Sequence, residues 1–271
     1  MPLNKQVSII GCGWLGFPLA QLLIKKGFKV KGTTTSESKL PNLGSHQIEA
    51  FYLKIAPHGV LGDIKNSLSK SDVVVLNIPP GLRKDPNQDY VAMIKNIIPD
   101  IEISGIKKVL FIGSTSVYAD DPDFPEITEK TIPNPNTESG RQLLQTEQLL
   151  QKNENFKTTI VRFSGLFGNE RHPAKQLSGR TFLRNAYAPV NLVHLADAVS
   201  ILFAIIEQNV FGETFNVSTT PHPDKESYYT LACKSMGLPL PKYDLGELSQ
   251  GKLIVSTKLE RILNYKFQIK L

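Results

Sequence analysis

The chain has 271 residues, 41% hydrophobic and 21% charged, a composition that supports a globular protein with a sizeable core. Its 31 Lys and Arg against 25 Asp and Glu give a net charge of +6, but the basic residues are scattered without a dense run, which argues against a nucleic-acid partner. Only two cysteines occur, Cys12 and Cys233, so no disulfide framework or metal site is expected, and no apolar stretch approaches the roughly 18 residues that span a bilayer.

The first predicted strand covers 7–10 and begins within about six residues of Met1, leaving no room for a signal peptide and pointing to the cytoplasm. It runs into Gly11-Cys12-Gly13-Trp14-Leu15-Gly16, and a helical pattern through Leu19, Leu22 and Leu23 follows at once. Glycines in that spacing between a strand and a helix allow a tight turn at Gly11, a close backbone approach to a pyrophosphate at Gly13, and close helix–strand packing at Gly16. The expected ligand is a dinucleotide lying on the helix N-terminus.

Further strands are predicted at 29–34, 46–55, 72–78, 108–113 and 158–163, with helical spacing at 61–68, 89–103, 137–152 and 195–208. This alternation predicts an α/β fold, a doubly wound parallel sheet. The regularity stops near Gly165; a return segment at 187–193 and a helix near 225–236 follow. The expected dinucleotide-binding domain is therefore 1–165 completed by about 187–217, and 166–186 with 218–271 form a small C-terminal subdomain on the substrate side.

The stretch Phe111-Ile112-Gly113-Ser114-Thr115-Ser116-Val117-Tyr118 ends its strand with hydroxyl residues and a Val-Tyr pair. After it come Glu129 with Pro133 and Pro135, then 162–168 (RFSGLFG), 193–199 (VHLADAV) and Phe215-Asn216-Val217. In this order the stretches resemble the extended short-chain dehydrogenase/reductases, the NAD-dependent epimerase/dehydratase group, with its NAD(P)-binding Rossmann fold. The resemblance covers most of the chain and implies that Ser114 orients a substrate. It also implies a catalytic Tyr about 25 residues later and, four positions on, a Lys that lowers the Tyr pKa and holds the nicotinamide ribose. Aligned on Pro135, Gly140 and Glu147, those positions hold Ser139 and Leu143, and no Tyr-x-x-x-Lys occurs between Tyr118 and Gly168. The chain is thus similar to an atypical branch that keeps the cofactor loop and lacks the catalytic pair. A positioned acid/base is worth roughly 10² to 10⁴ in rate, so another group must substitute for ordinary family chemistry to proceed.

The candidate for that role is Tyr118, as a phenol near the strand end, against the alternative of a packed or locally hydrogen-bonded tyrosine; Ser139, at the tyrosine position, and Ser114 complete the candidate catalytic residues, although a serine hydroxyl without a neighbouring base does not transfer protons near neutrality. Arg141, Arg171 and His172 are candidate substrate-binding groups, against the alternative of a solvated basic surface, and His194 reads as a structural histidine. Cofactor contacts are expected from Gly11, Gly13, Trp14, Leu15, Gly16, from Thr34, Thr35 and Ser36 at the end of the second strand, and from Pro79 in a rigid Asn-Ile-Pro-Pro-Gly wall. No carboxylate occupies the Thr34 position to select a free ribose 2′-hydroxyl, and Lys39 is nearby, so NADP is favoured over NAD. The function expected is an NAD(P)-dependent oxidoreductase or epimerase-like activity on a small or nucleotide-linked substrate, by a monomer or homodimer. The alternative is an inactive dinucleotide-binding sensor or regulatory subunit.

Overall fold

The computed structural model describes residues 5–168 and 170–271. The first half of the chain runs β1 (Gln6–Ile10), α1 (Gly16–Lys25), β2 (Lys29–Thr34), α2 (Leu40–Ser45), β3 (Glu49–Ala56), β4 (Gly59–Gly62), α3 (Ile64–Leu68), β5 (Val73–Leu76), α4 (Tyr90–Lys95), α5 (Ile98–Ile103) and β6 (Lys108–Ser114). The second half continues with β7 (Glu126–Ile127), α6 (Glu138–Gln151), β8 (Lys157–Phe163), β9 (Gly165–Phe167), α7 (Ala174–Leu177), β10 (Leu192–His194), α8 (Leu195–Glu207), β11 (Thr214–Val217), α9 (Lys225–Ser235), β12 (Leu253–Ile254) and α10 (Thr257–Leu263).

The main sheet has the order β11-β8-β6-β5-β1-β2-β3-β4. β1 pairs in parallel with β2 on one side and β5 on the other, so the winding direction reverses beside β1 and the Gly11–Gly16 loop leaves the carboxyl edge at that switch point. All four residues of β5, Val73–Leu76, are buried, as befits a central parallel strand covered on both faces. α1 buries Gly16, Leu19, Ala20 and Leu23, the one face its 3–4 spacing makes continuous. This is the doubly wound α/β architecture anticipated from the alternation of elements, and the Rossmann fold that the resemblance implies.

Two stretches depart from the expected elements. The predicted helix at 61–68 begins as β4, which turns back antiparallel on β3, with Leu61 opposite Lys54 and 62% exposed; only Ile64–Leu68 is helical. The turn is possible because Gly62 has φ +114° and a Cβ there would overlap the Tyr52 carbonyl. The single helix expected over 89–103 is two, because Pro99 lacks the N–H that would continue α4 and instead sits in the first turn of α5.

The chain forms two compact units. The first comprises Met1–Ser114, Thr137–Arg162 and Val199–Thr214. Within it the buried Glu147 of α6 accepts both Nε and Nη2 of Arg162 from β8, at 3.1 and 2.6 Å. A Cβ on Gly113, one residue before Ser114, would stand 3.0 Å from Glu147 Oε1, so the pair packs directly against the end of β6. The second unit comprises Thr115–Asn136, Phe163–Ala198 and Phe215–Leu271. It draws on the segment after β6 as well as on the C-terminal stretches. Its own core gathers Phe167, Ala174, Val190, Leu192, Tyr229 and Cys233. Its C-terminal tail is pinned by the buried Asp197, which accepts Tyr265 Oη at 2.6 Å, Gln268 N–H at 2.8 Å and Ile269 N–H at 3.1 Å.

Candidate functional site

Three glycines in the first βα turn have three different surroundings. Gly11 has φ +102°, which L side chains rarely adopt, and a Cβ there would overlap the Asn77 carbonyl. At Gly16 a Cβ would overlap the Gly11 carbonyl and meet Ile9 Cγ2 at 3.1 Å, so this residue lets α1 close on β1. Gly13 lies outside the left-handed region, and nothing stands within 4 Å of where its Cβ would be. The fold itself therefore needs Gly11 and Gly16, whereas Gly13 faces open space and no contact among the described residues requires a glycine there.

The loop is held from both neighbouring strands. Gly11 N–H donates to Thr33 Oγ1 at 3.0 Å and Cys12 N–H to the Thr33 carbonyl at 2.8 Å. From the other side Asn77 donates Nδ2 to the Gly11 carbonyl at 2.8 Å and its N–H to Ile10 at 2.9 Å. Cys12 is buried, and burial pushes its thiol up to about 12, so it packs and does not react. Leu15 at the N-cap of α1 makes no side-chain cap hydrogen bond and the first turn holds no acid, which leaves the positive end of the helix dipole suited to an anion. Trp14 is half-buried, and Leu15 at 5% exposure has only its amide to offer. The residues present fit a dinucleotide pyrophosphate.

At the end of β2, Thr34 and Ser36 are half-buried and Thr35 is exposed. Ser36 N–H donates to Thr34 Oγ1 at 3.2 Å, and the Ser36 and Ser38 hydroxyls lie 2.8 Å apart. Glu37 opens the exposed turn that Lys39 closes. After β5, Pro79 is exposed, and the carbonyl of Ile78 beside it accepts the hydroxyl of the fully buried Tyr90 at 2.8 Å. Burial and the Glu147 charge hold that phenol far above its ordinary range, so Tyr90 is a fixed donor that steadies the proline wall. Tyr90 N–H in turn donates to Gln142 Oε1 at 2.7 Å, which ties the wall to α6.

Thr137 caps α6 at its N-terminus, its hydroxyl accepting Gly140 N–H at 3.1 Å. Ser139 is half-buried in the first turn and Leu143, one turn on, is 3% exposed. Ser114 stands half-buried at the end of β6 in the same unit. Arg141 pairs with Glu138 at 3.0 Å with both side chains about half exposed, and Glu138 also accepts Gln142. These hydrogen bonds hold the Glu138 carboxyl below its usual range.

In the second unit Tyr118 is buried at 1%, its hydroxyl directed to Asn216 Oδ1 at 3.3 Å and the Thr128 carbonyl at 3.4 Å. Asn216 N–H is itself held by Glu129 at 2.8 Å. This is the setting of a packed phenol, not of a group that exchanges protons with a substrate. Arg171 is exposed, and its backbone closes a two-way hydrogen-bonded turn with Gly168. His172 Nδ1 accepts the Ala174 N–H at 3.1 Å, which places the neutral ring's proton on Nε2, facing Tyr228 Oη at 3.3 Å. The ring stacks on Tyr228 and meets the edge of Phe167, and burial lowers its pKa. His194 caps α8 in the same manner, accepting Ala196 N–H at Nδ1.

The sequence assigned no role to Tyr90 or to the pairing of Glu147 with Arg162, and took Asn77 only as part of the proline wall. The pair had a legible signal: Glu147 lies on the face of α6 that carries Leu143 and Leu150, and Arg162 interrupts the apolar run of β8.

Comparison with known proteins agrees with this geometry. Residues 11–193 match a family model described as NAD(P)H-binding. The chain is 28% identical over 266 residues to Protein YeeZ of Escherichia coli (strain K12), covering 97% of this chain and 96% of that protein. Among solved structures it is similar to a functionally unknown conserved protein from Silicibacter pomeroyi, with TM-score 0.80 and 18% identity over 98% of this chain and 95% of that one. It is also similar to UDP-glucuronic acid 4-epimerase from Bacillus cereus in complex with NAD, with TM-score 0.78 and 19% identity over 98% and 92%. At these identities the structural matches establish a shared fold.

Proposed function

Because the chain belongs to the NAD(P)H-binding family over residues 11–193, we propose that it holds a nicotinamide dinucleotide on the first βα turn and uses it in an oxidoreductase or epimerase-like reaction on a small or sugar-nucleotide substrate. The observation that carries the reading is the contrast in the loop, with Gly11 and Gly16 enclosed by the fold and Gly13 left open. Gly13, the amides at the start of α1 and the hydroxyls of Thr34, Thr35 and Ser36 would hold the dinucleotide, with Pro79 beside its nicotinamide end. When bound, such a group supplies a hydride acceptor or donor. Ser114 orients the substrate, and Ser139 stands where the related enzymes carry their tyrosine. A serine hydroxyl lacking a tuned base is a hydrogen-bond partner rather than a proton carrier near neutrality, so proton transfer falls to another group. The hydroxyl cluster after β2 supports NADPH binding at least as tight as NADH, with the Glu37 carboxylate opposing that preference and Lys39 favouring it.

The buried Leu143 favours a second reading, a dinucleotide-binding sensor or regulatory subunit without turnover. Incubation with NAD(P)H or NAD(P) and a panel of UDP-sugars, read by nicotinamide absorbance and product analysis, separates the two. Substrate-dependent absorbance change or epimerised sugar supports the enzyme. Tight cofactor binding with neither supports the sensor.

A further inference from the structure

Gly11 takes φ +102°, a conformation open to it because it has no side chain, and the same freedom lets its peptide rotate unless something holds it. Two side chains do so, one on each backbone polar group. The Gly11 N–H donates to Thr33 Oγ1 at 3.0 Å, and the Gly11 carbonyl accepts Asn77 Nδ2 at 2.8 Å. A carbonyl only accepts, so the amide nitrogen of Asn77 and not its oxygen faces Gly11.

Both struts are themselves fixed. Thr33 is 3% exposed in β2, which lies between β1 and β3, and its carbonyl also takes the Cys12 N–H at 2.8 Å. Asn77 N–H donates to the Ile10 carbonyl at 2.9 Å, and the next carbonyl along, that of Ile78, accepts the buried Tyr90 hydroxyl at 2.8 Å. All of these residues belong to the first unit.

The clamp also governs charge. A Cβ on Gly16 would overlap the Gly11 carbonyl and stand 3.1 Å from Asn77 Nδ2, so carbonyl and amide meet beneath the first residue of α1. That is the positive end of a helix whose first turn holds no acid. An unengaged carbonyl oxygen there would oppose an anion, and a free peptide would have to be ordered when the anion binds. The Asn77 amide removes the first cost, and the two side chains together remove the second.

We propose that Asn77 and Thr33 are positioning residues for the dinucleotide, acting through the Gly11 peptide to fix the turn in its anion-binding shape before the ligand arrives. The inference rests on the function proposed above.

The test uses the full chain and three readouts: NADPH and NADH affinity by titration, acrylamide quenching of Trp14 without nucleotide, and the thermal unfolding midpoint. Trp14 is the single tryptophan, sits half-buried in the turn, and so reports on its order. Asn77→Asp keeps the shape and removes the donor. It should weaken both nucleotides roughly tenfold or more, the scale of one lost hydrogen bond, and make Trp14 easier to quench. Asn77→Leu, which adds no charge, should act in the same direction with a smaller loss. Thr33→Val removes the acceptor for the Gly11 N–H and should also weaken binding, whereas Thr33→Ser keeps the hydroxyl and should bind like the parent.

The inference alone is overturned if the parent binds a nucleotide and folded Asn77→Asp or Thr33→Val binds it as tightly. It is overturned too if affinity falls while Trp14 quenching stays parental, which would make the side chain a direct ligand contact. Equal losses in Thr33→Ser and Thr33→Val would assign the effect to methyl packing, and failure of both the Asn77 and the Thr33 variants to fold would make the clamp a requirement of the fold; either result refutes it. A parent that binds neither nucleotide refutes the proposed function, and this inference with it.

Discussion

Removing Arg162 tests how much of the first unit depends on its buried ion pair. In Arg162→Met the Glu147 carboxylate, 1% exposed, loses its bidentate partner and the 2.6 Å contact from Nη2. Breaking a buried pair from one side costs about 3 to 5 kcal/mol, because the orphaned charge cannot be solvated. Glu147→Gln keeps an acceptor for Arg162 and should cost less, about 1 to 3 kcal/mol. Replacing both, as Glu147→Leu with Arg162→Met, should recover most of the loss, since a well-packed apolar pair is often neutral or better. Burial already pushes the Glu147 carboxyl above its ordinary 4.5 while Arg162 pulls it down, and loss of Arg162 raises it further. A carboxyl whose folded-state pKa exceeds its unfolded value supports folding below the unfolded value and loses that contribution as pH rises through the folded one. The deficit of Arg162→Met should therefore be small near pH 4.5, grow toward neutrality and then level off. Urea unfolding followed by the single tryptophan, Trp14 in the glycine loop of the same unit, reports it directly. A loss under about 1 kcal/mol at pH 7, or one that does not change between acid and neutral pH, would refute the reasoning.

Other expectations follow from the same geometry. Glu37→Gln should shift cofactor preference further toward NADPH, by roughly three- to tenfold in competition titrations, because it removes the carboxylate beside the β2 hydroxyls; an unchanged ratio would place the 2′ position elsewhere. Grafting the family pair as Ser139→Tyr with Leu143→Lys should destabilise the protein by several kcal/mol, since Leu143 is 3% exposed and an ammonium there would be buried. Ser139→Tyr alone should be tolerated, and an equally stable double variant would show that position 143 has access to solvent or ligand. Burial depresses the His172 and His222 pKa values below 6.5, so the unfolded chain binds these protons first as pH falls. Stability of the second unit should decline below about pH 6.5 until the folded-state values are passed, a dependence that His172→Gln should reduce in thermal scans.

The parallel alternation and the glycine turn were legible in the sequence because both rest on local patterns, strands of buried β-branched residues and glycines at a strand–helix junction. The β4 turn-back and the break between α4 and α5 were not, because each depends on one residue, Gly62 or Pro99, whose effect is set by what it meets in space. For Tyr118 the sequence leaves both a catalytic phenol and a packed one open, because its partner Asn216 is 98 residues away, beyond any local pattern.

The central claim, that this chain binds a nicotinamide dinucleotide at the open glycine of its first βα turn, is tested most directly by titrating NADPH and NADH against Gly13→Val by fluorescence. A Cβ at Gly13 meets nothing within 4 Å, so the variant should fold with nearly the parental unfolding midpoint while its affinity falls by about two orders of magnitude or more. A folded Gly13→Val protein that binds either nucleotide as tightly as the parent would contradict the account.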